Sequence, residues 1–296
     1  MKIINLKSKI VNRKSQIVNH KSKMILSILF IVSILQTTTV LAQRLPEYSI
    51  YGGGGLSTLN YKLSPGKRSG GFGGDFGAGF TYFIDSNWGI HSGLGVGLYS
   101  AKAKLDCETI TPNLIDEEGK RFDMHTTLAG YSETQKAMFL NIPVMAQYRL
   151  NPNEGFYAMG GFKVGIPING KYSSKAAQLT NKGYYPDLNN YATVQRFAGY
   201  GIFEGKDFDD KTKLGVSIML ALEAGWKWQI NNQFSLYSGS YFDFGLNNVV
   251  KDKNLPLINY SADDPSGFFT NSALSTFTKK ASIMAVGIKL RLAYIK

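Results

Sequence analysis

The chain has 296 residues with 33 Lys and Arg against 21 Asp and Glu, a formal charge of +12, and carries 32 Gly, 17 Tyr and 18 Phe with only 18% charged residues. Abundant glycine with aromatics and few charges is unusual for a soluble enzyme and favours β structure. Seven of the Lys and Arg lie in residues 1–42, which hold no acid, so the remainder carries 26 bases against 21 acids, or +5, and a nucleic-acid partner is not expected.

Residues 1–23 form a near-repeat of Lys, Ser, Asn and Ile, longer than the basic end of a secretory signal requires, which leaves open whether translation starts at Met1 or nearer Met24. From Met24 an apolar run continues to Ala42, preceded by Lys21 and Lys23, interrupted by Gln36 and Thr37–Thr39, and closed by Val40-Leu41-Ala42. This is the layout of a cleaved export signal rather than a membrane helix, and cleavage before Gln43 is expected. The expected domains are therefore an N-terminal extension and signal over 1–42 and one further domain over 43–296. Cys107 is the one cysteine, so no internal disulfide framework is expected.

No later segment offers about 20 consecutive apolar residues, so a membrane-spanning form must be a closed barrel. Alternation supports one. From Leu214, the even positions Leu214, Val216, Ile218, Leu220, Leu222, Ala224, Trp226, Trp228 and Ile230 are apolar, while odd positions include Ser217, Glu223, Lys227 and Gln229. The same template predicts strands near 47–61, 71–84, 88–105, 136–150, 156–170, 213–230, 233–247 and 280–295. Short connections at 85–87, 151–155 and 231–232 alternate with long ones at 62–70, 106–135, 171–212 and 248–279. The expected fold is thus all-β: an eight-stranded, antiparallel, up-and-down transmembrane barrel with short periplasmic turns and long extracellular loops. The predicted strands exceed the roughly 9 to 11 residues needed to cross, so the barrel should project beyond the outer leaflet. A soluble barrel or sandwich with the apolar face inward is the alternative, in which a glycine-rich face would stand in water.

Tyr82, Trp88, Tyr148, Phe156, Trp226, Trp228, Phe234 and Tyr294 fall beside short turns or the last strand's end and should form one interfacial girdle. Tyr61, Phe72, Tyr99, Phe242 and Phe244 are the candidates for the opposite one. On the polar face lie Glu47, Asp75, Glu223 and Asp243 with Arg149, Lys163, Lys227, Lys289, Arg291 and His91. In a barrel this narrow they should pair inside the lumen. The glycines of that face (Gly71, Gly73, Gly77, Gly79, Gly93, Gly95, Gly97) should leave room for those long side chains.

The stretches FLNIPVMAQYRL (139–150), NPNEG and FYAMGGFKVGIPI (156–168), with WGIHSGLGVGLYS (88–100), resemble the PorT-like outer-membrane β-barrel proteins common in Bacteroidetes. That resemblance implies an integral outer-membrane barrel and, for a few members, a part in a protein-secretion apparatus.

Enzyme chemistry is not expected, and neither are catalytic residues, a cofactor or a metal site. Gly165-x4-Gly170-Lys171 opens like a phosphate-binding loop, but Tyr172 stands where a magnesium-binding hydroxyl is needed and Pro167 sits inside. His125 with Asp123, Thr126 and Ser132 is a hydrolytic grouping to be weighed, because some eight-stranded barrels modify lipids at their outer rim. Residues 106–135 carry Asp106, Glu108, Asp116, Glu117, Glu118, Asp123 and Glu133 against Lys120 and Arg121, net −5, a candidate for divalent cations bridging lipopolysaccharide phosphates. Residues 171–212 hold Tyr172, Tyr184, Tyr185, Tyr191, Phe197, Tyr200, Phe203 and Phe208, either a recognition surface or packing over the mouth. The expected role is structural or surface-interacting through these loops. Its partners would be outer-membrane lipids, lipopolysaccharide and envelope or secretion proteins; a secretion component and a lipid-modifying enzyme are the alternatives.

Overall fold

The computed structural model describes residues 46–264 and 269–295, the side chains of 269 and 270 apart. The predicted signal segment and its cleavage point lie outside the described residues. Among the described residues twelve strands form: β1 Glu47–Tyr61, β2 Lys67–Phe83, β3 Trp88–Ile115, β4 Arg121–Arg149, β5 Gly155–Tyr185, β6 Asn190–Ala192, β7 Gly201–Lys211, β8 Ser217–Gln229, β9 Phe234–Gly245, β10 Ile258–Asn259, β11 Phe269–Thr270 and β12 Ala281–Ile295. A short α-helix, α1, spans Ala273–Phe277.

Eight of these strands close a ring. The sheet runs β4-β3-β2-β1-β12-β9-β8-β5, and β4 pairs with β5 to shut it, every pairing antiparallel. In a closed ring every strand finds a hydrogen-bonding neighbour on both sides, so no edge is left within the membrane-crossing part. The short connections follow from their Asp and Asn. Asp85 Oδ1 accepts from the N–H of Asn87 and Trp88, and Asn231 Oδ1 from those of Gln233 and Phe234, at 2.6–2.9 Å. A side chain that closes its own turn needs no further residues to reverse the chain.

Two predicted loops are strands. The region 106–135 is not a loop: β3 and β4 remain paired from Trp88↔Tyr148 up to Ile115↔Arg121 and reverse at Asp116–Lys120, where Gly119 takes the left-handed conformation at φ 79°. Likewise 171–185 continues β5, and 201–211 returns along it as β7, from Lys171↔Lys211 to Asn181↔Gly201. The physical reason is an exchange of faces. Along β3 the buried positions carry on as Ala101, Ala103 and Leu105, but the outward ones change from Leu94 and Leu98 to Lys102, Lys104 and Asp106. The strand persists; its oily face ends.

A bulge in the β3–β4 pairing decides which side chains face inward above it. The register shifts between Leu105 and Cys107, opposite Gly130 at φ 62°, whose N–H donates to the Asp106 carboxylate. A bulge of this kind reverses which residues face in. Below it Gln135, Glu133 and Tyr131 are buried; above it Leu128, Thr126, Met124 and Phe122 are.

Candidate functional site

The outer wall of the ring is apolar. Ile50, Leu56, Phe76, Phe80, Ile90, Leu94, Val144, Phe162, Ile218, Leu222, Ile288 and Leu290 all stand exposed. On β3 this surface reaches from Trp88 to Leu98, about 25 Å of height for ten residues at ~3.3 Å each and a tilt near 40°, the thickness of an outer-membrane apolar band. The girdle predicted at the short-turn end is present as outward side chains, with Trp88 against Tyr148 at 5.0 Å, Trp226 against Trp228 at 6.2 Å and Phe234 against Tyr294 at 5.2 Å. The opposite girdle needs correction: Phe72 and Phe244 face out, but Tyr61 and Tyr99 are buried inside. Both stand on the inward parity, where their rings pack against Phe139, Met219 and Ile283.

Inside the membrane-facing half, every predicted lumenal ion is buried, and the ions pair. Lys163 Nζ lies 2.7 Å from Asp243 and 3.1 Å from Asp75. Lys289 joins Asp75 at 3.5 Å to Glu223 at 3.3 Å, and Arg291 reaches Glu223 at 3.8 Å. Nearer the short turns, Glu47 sits between Arg149 at 3.6 Å and Lys227 at 3.7 Å. Arg149 Nε donates to Ser86 O and Lys227 Nζ to Pro152 O, which ties this end of the ladder to two turns. Tyr157 Oη donates to Glu223, and Thr81 bridges His91 and Gln147. Ions held this way crosslink strands that are distant in sequence. The glycine wall makes space for them and for the phenols above: a Cβ on Gly95 would stand 2.1 Å from Tyr51 Oη, under which Lys289 is seated at 4.9 Å from the ring.

The other half of the lumen is apolar. Leu59, Tyr61, Tyr99, Phe139, Met219 and Ile283 point inward, and Leu214, Val249, Val250 and Leu274 from the connections close over them. Above, the concave side of β3, β4, β5 and β7 is covered by Leu257, Ile258 and Ala273, packed on Leu105, Leu128, Tyr131, Leu179 and Phe203. One buried carboxylate pins this plug. Glu133 accepts from Ser272 Oγ at 2.6 Å, Ala273 N at 2.8 Å, Tyr131 Oη at 2.7 Å and Gln135 Nε2 at 2.7 Å. A fully hydrogen-bonded anion at the start of α1 holds the segment by both its backbone and its side chain.

The weighed hydrolytic group is not assembled. The bulge turns Thr126 inward, where it donates to Asn181 at 2.8 Å, while His125 faces out between Tyr184 at 6.1 Å and Tyr191 at 5.4 Å. Ser132 lies seven positions further along the same strand, and Asp123 accepts from the N–H of Asn113 at 2.9 Å. The acidic residues are dispersed as well: Glu133 is in the plug, Asp106 holds the bulge, Asp116 closes the β3–β4 turn and Glu118 pairs with Lys120 at 2.6 Å. Among the described residues no group of three metal-ligating side chains gathers. The Gly165–Lys171 stretch is strand rather than loop.

The aromatic residues of 171–212 divide between the two readings. Tyr172, Tyr200 and Phe203 are buried; Tyr185 stacks on Phe122, which Tyr200 and Tyr260 meet edge-on. Tyr185 Oη meets Tyr200 Oη at 2.8 Å and donates to Asp116 at 2.9 Å; burial, reinforced by that carboxylate, pushes the Tyr185 phenol up to about 12. Outside this packing, Val194 at 75%, Phe197 at 74% and Leu188 at 66% exposure stand at the far end of the extension.

A closed ring with an oily wall, an aromatic girdle and paired ions within is the architecture of an integral outer-membrane β-barrel. The chain belongs to the outer membrane protein beta-barrel domain family, whose family model matches residues 41–251. Among solved structures it is similar to Ail, the attachment invasion locus protein of Yersinia pestis, crystallised with the heparin analogue sucrose octasulfate (11% identity, 85% of this chain and 99% of that one, TM-score 0.29). It is also similar to the outer membrane protein OprG of Pseudomonas aeruginosa (13% identity, 84% and 97%, TM-score 0.32). No curated protein matches in sequence.

Proposed function

We propose that this barrel is a non-conducting anchor that carries a rigid recognition platform at the cell surface. The observation that supports it is the continuation of β3, β4 and β5 as paired strands beyond the oily band, about 45 Å along the strand from Ala101 to Ile115, with Leu188, Val194 and Phe197 exposed at its far end. Strands that continue as one sheet from the membrane hold that end without a hinge. Large apolar side chains kept in water at such a place suit a protein partner. The apolar plug and its Glu133 anchor argue against a solute path. In this reading the segment over 24–42 exports the chain and is removed, outer-membrane lipids surround the wall, and an envelope or surface protein meets the tip.

The test is a deletion strain complemented with the wild type or with Leu188→Ser/Val194→Ser/Phe197→Ser. The platform predicts an unchanged exported proteome on deletion, together with surface crosslinks made by the wild type and lost in the triple variant. Retention of many exported proteins in the periplasm on deletion would instead support the secretion role implied by the PorT-like resemblance.

A further inference from the structure

Where the oily band ends, the register sets three lysines side by side. Lys136 on β4 is directly opposite Lys171 on β5, and Lys171 is directly opposite Lys211 on β7. On the β3 side of Lys136 stands Ser100, and one step round the wall Lys104 on β3 faces Lys67 on β2. Like charges in direct cross-strand register repel and lower the stability of the pairing. The ion pairs on the outer face of the extension, among the described residues, are Lys175–Asp207 at 3.1 Å and Lys120–Glu118; Lys136, Lys171 and Lys211 enter none.

The surface around the row is hollowed on both sides. Below it a depression of about 360 Å³ is lined by Phe72, Leu98, Tyr99 and Met138 and roofed by Lys136 and Lys171. Above it a second, of about 720 Å³, is bounded by Lys136, Lys171 and Lys211 with Thr134, Ser173, Asp209 and Asp210. The two share Lys136 and Lys171, so an apolar trough opens into a cationic one at a single point. Phe72, at 82% exposure, projects where the trough meets the lipid. The height also matters: Lys136 is two residues beyond Met138, about 7 Å along the strand and hence at headgroup level.

We infer that Lys136, Lys171 and Lys211 bind the phosphate groups of an outer-leaflet lipid, with an acyl chain of that lipid lying in the Phe72–Leu98–Met138 trough. A phosphate between ammonium groups converts the cross-strand repulsion into charge-assisted hydrogen bonds. The aliphatic stems of the lysines cover the apolar wall while their heads reach the phosphate. Asp209 and Asp210, on the upper wall, repel an anion that rides higher, which fixes the depth of the headgroup. A nucleic acid or acidic peptide would use the lysines but leave the trough empty. The site is independent of what the distal tip recognises.

The experiment uses the folded full chain in a nonionic detergent and measures retention of bisphosphorylated lipid A, of the same lipid stripped of its phosphates, and of inorganic phosphate. The wild type should retain the bisphosphorylated lipid at least tenfold more tightly than the stripped one. Lys136→Gln/Lys171→Gln/Lys211→Gln should lose that preference, and the corresponding triple Arg variant should keep it. Folding of each is checked by the mobility difference between unheated and boiled samples. Should the triple Gln variant fail to fold, Lys171→Glu alone carries the test, with binding weakened at least fivefold. The inference is overturned if a folded Gln or Glu variant keeps the preference. It is overturned equally if the stripped lipid binds as well as the phosphorylated one, or if inorganic phosphate alone binds as tightly as the lipid.

Discussion

The two halves of the interior are lined by the same strands and filled with opposite chemistry. On β12 the inward residues are Arg291 and Lys289 toward the short turns and Ile283 and Ala281 toward the long connections; on β5 they are Lys163 and then Tyr172, Ala176 and Leu179. The exteriors are opposite too, Leu94 and Leu98 on the lower wall and Lys102 and Lys104 on the upper. Where lipid covers the outside, hydrophobic burial is not what holds the ring together, so the lumen is free to carry ions provided they pair. Where water covers the outside, the extension must bury an apolar core as a soluble sheet does. The row at Ser100, Lys136, Lys171 and Lys211 is where one solution gives way to the other.

That contrast is broken most severely from within the ionic half. Replacing Lys163 by Met leaves Asp75 and Asp243 without their shared cation and should cost about 3–5 kcal/mol, read as a lowered urea midpoint of the reconstituted barrel; adding Asp243→Asn should recover part of it. On the wall, Leu94→Arg places a cation against the apolar band at a cost of about 2–4 kcal/mol. Ser173→Arg on the extension should change stability by less than about 0.5 kcal/mol. Equal effects from the two would erase the boundary. In the apolar half, Glu133→Ala takes the shared acceptor from the Ser272, Ala273 and Gln135 donors, a loss of about 1–3 kcal/mol. It should appear as faster proteolysis within 251–264 while the ring keeps its heat-dependent mobility. The smallest effect belongs to the distal cluster. Because the Tyr185 phenol is raised to about 12, its contribution to folding is complete below pH 10 and is lost as pH rises from 10 through about 12. Ultraviolet titration should show one late-ionising tyrosine fewer in Tyr185→Phe.

The legibility of the sequence changes at the same boundary. In the lipid-facing half, period-two alternation with an oily outward face located β1 to the residue and placed all the lumenal ions, because both faces carry a signal there. Past Ser100 the alternation survives as Ala101, Ala103 and Leu105 against Lys102, Lys104 and Asp106, but a template that expects oil on the outside reads it as loop. The Gly130 bulge also reverses the parity beyond it. Tyr61 and Tyr99 show the complementary error: their parity pointed inward, and their aromatic character suggested a girdle. The Glu133 plug was out of reach, since Ser272 and Ala273 meet Glu133 across 139 and 140 residues of chain, and the lysine row becomes visible only once three strands are in register.

The most direct test is a labelling scan along β3 in lipid nanodiscs, with Cys107 replaced by Ser and single cysteines at Ile90, Leu94, Leu98, Lys102 and Lys104, each carrying a fluorophore. Quenching by a lipid-borne reagent at 90, 94 and 98, and by an aqueous one at 102 and 104, is the predicted result, with the change falling at Ser100. Aqueous quenching at all five positions, or lipid quenching that continues through 104, would contradict the account.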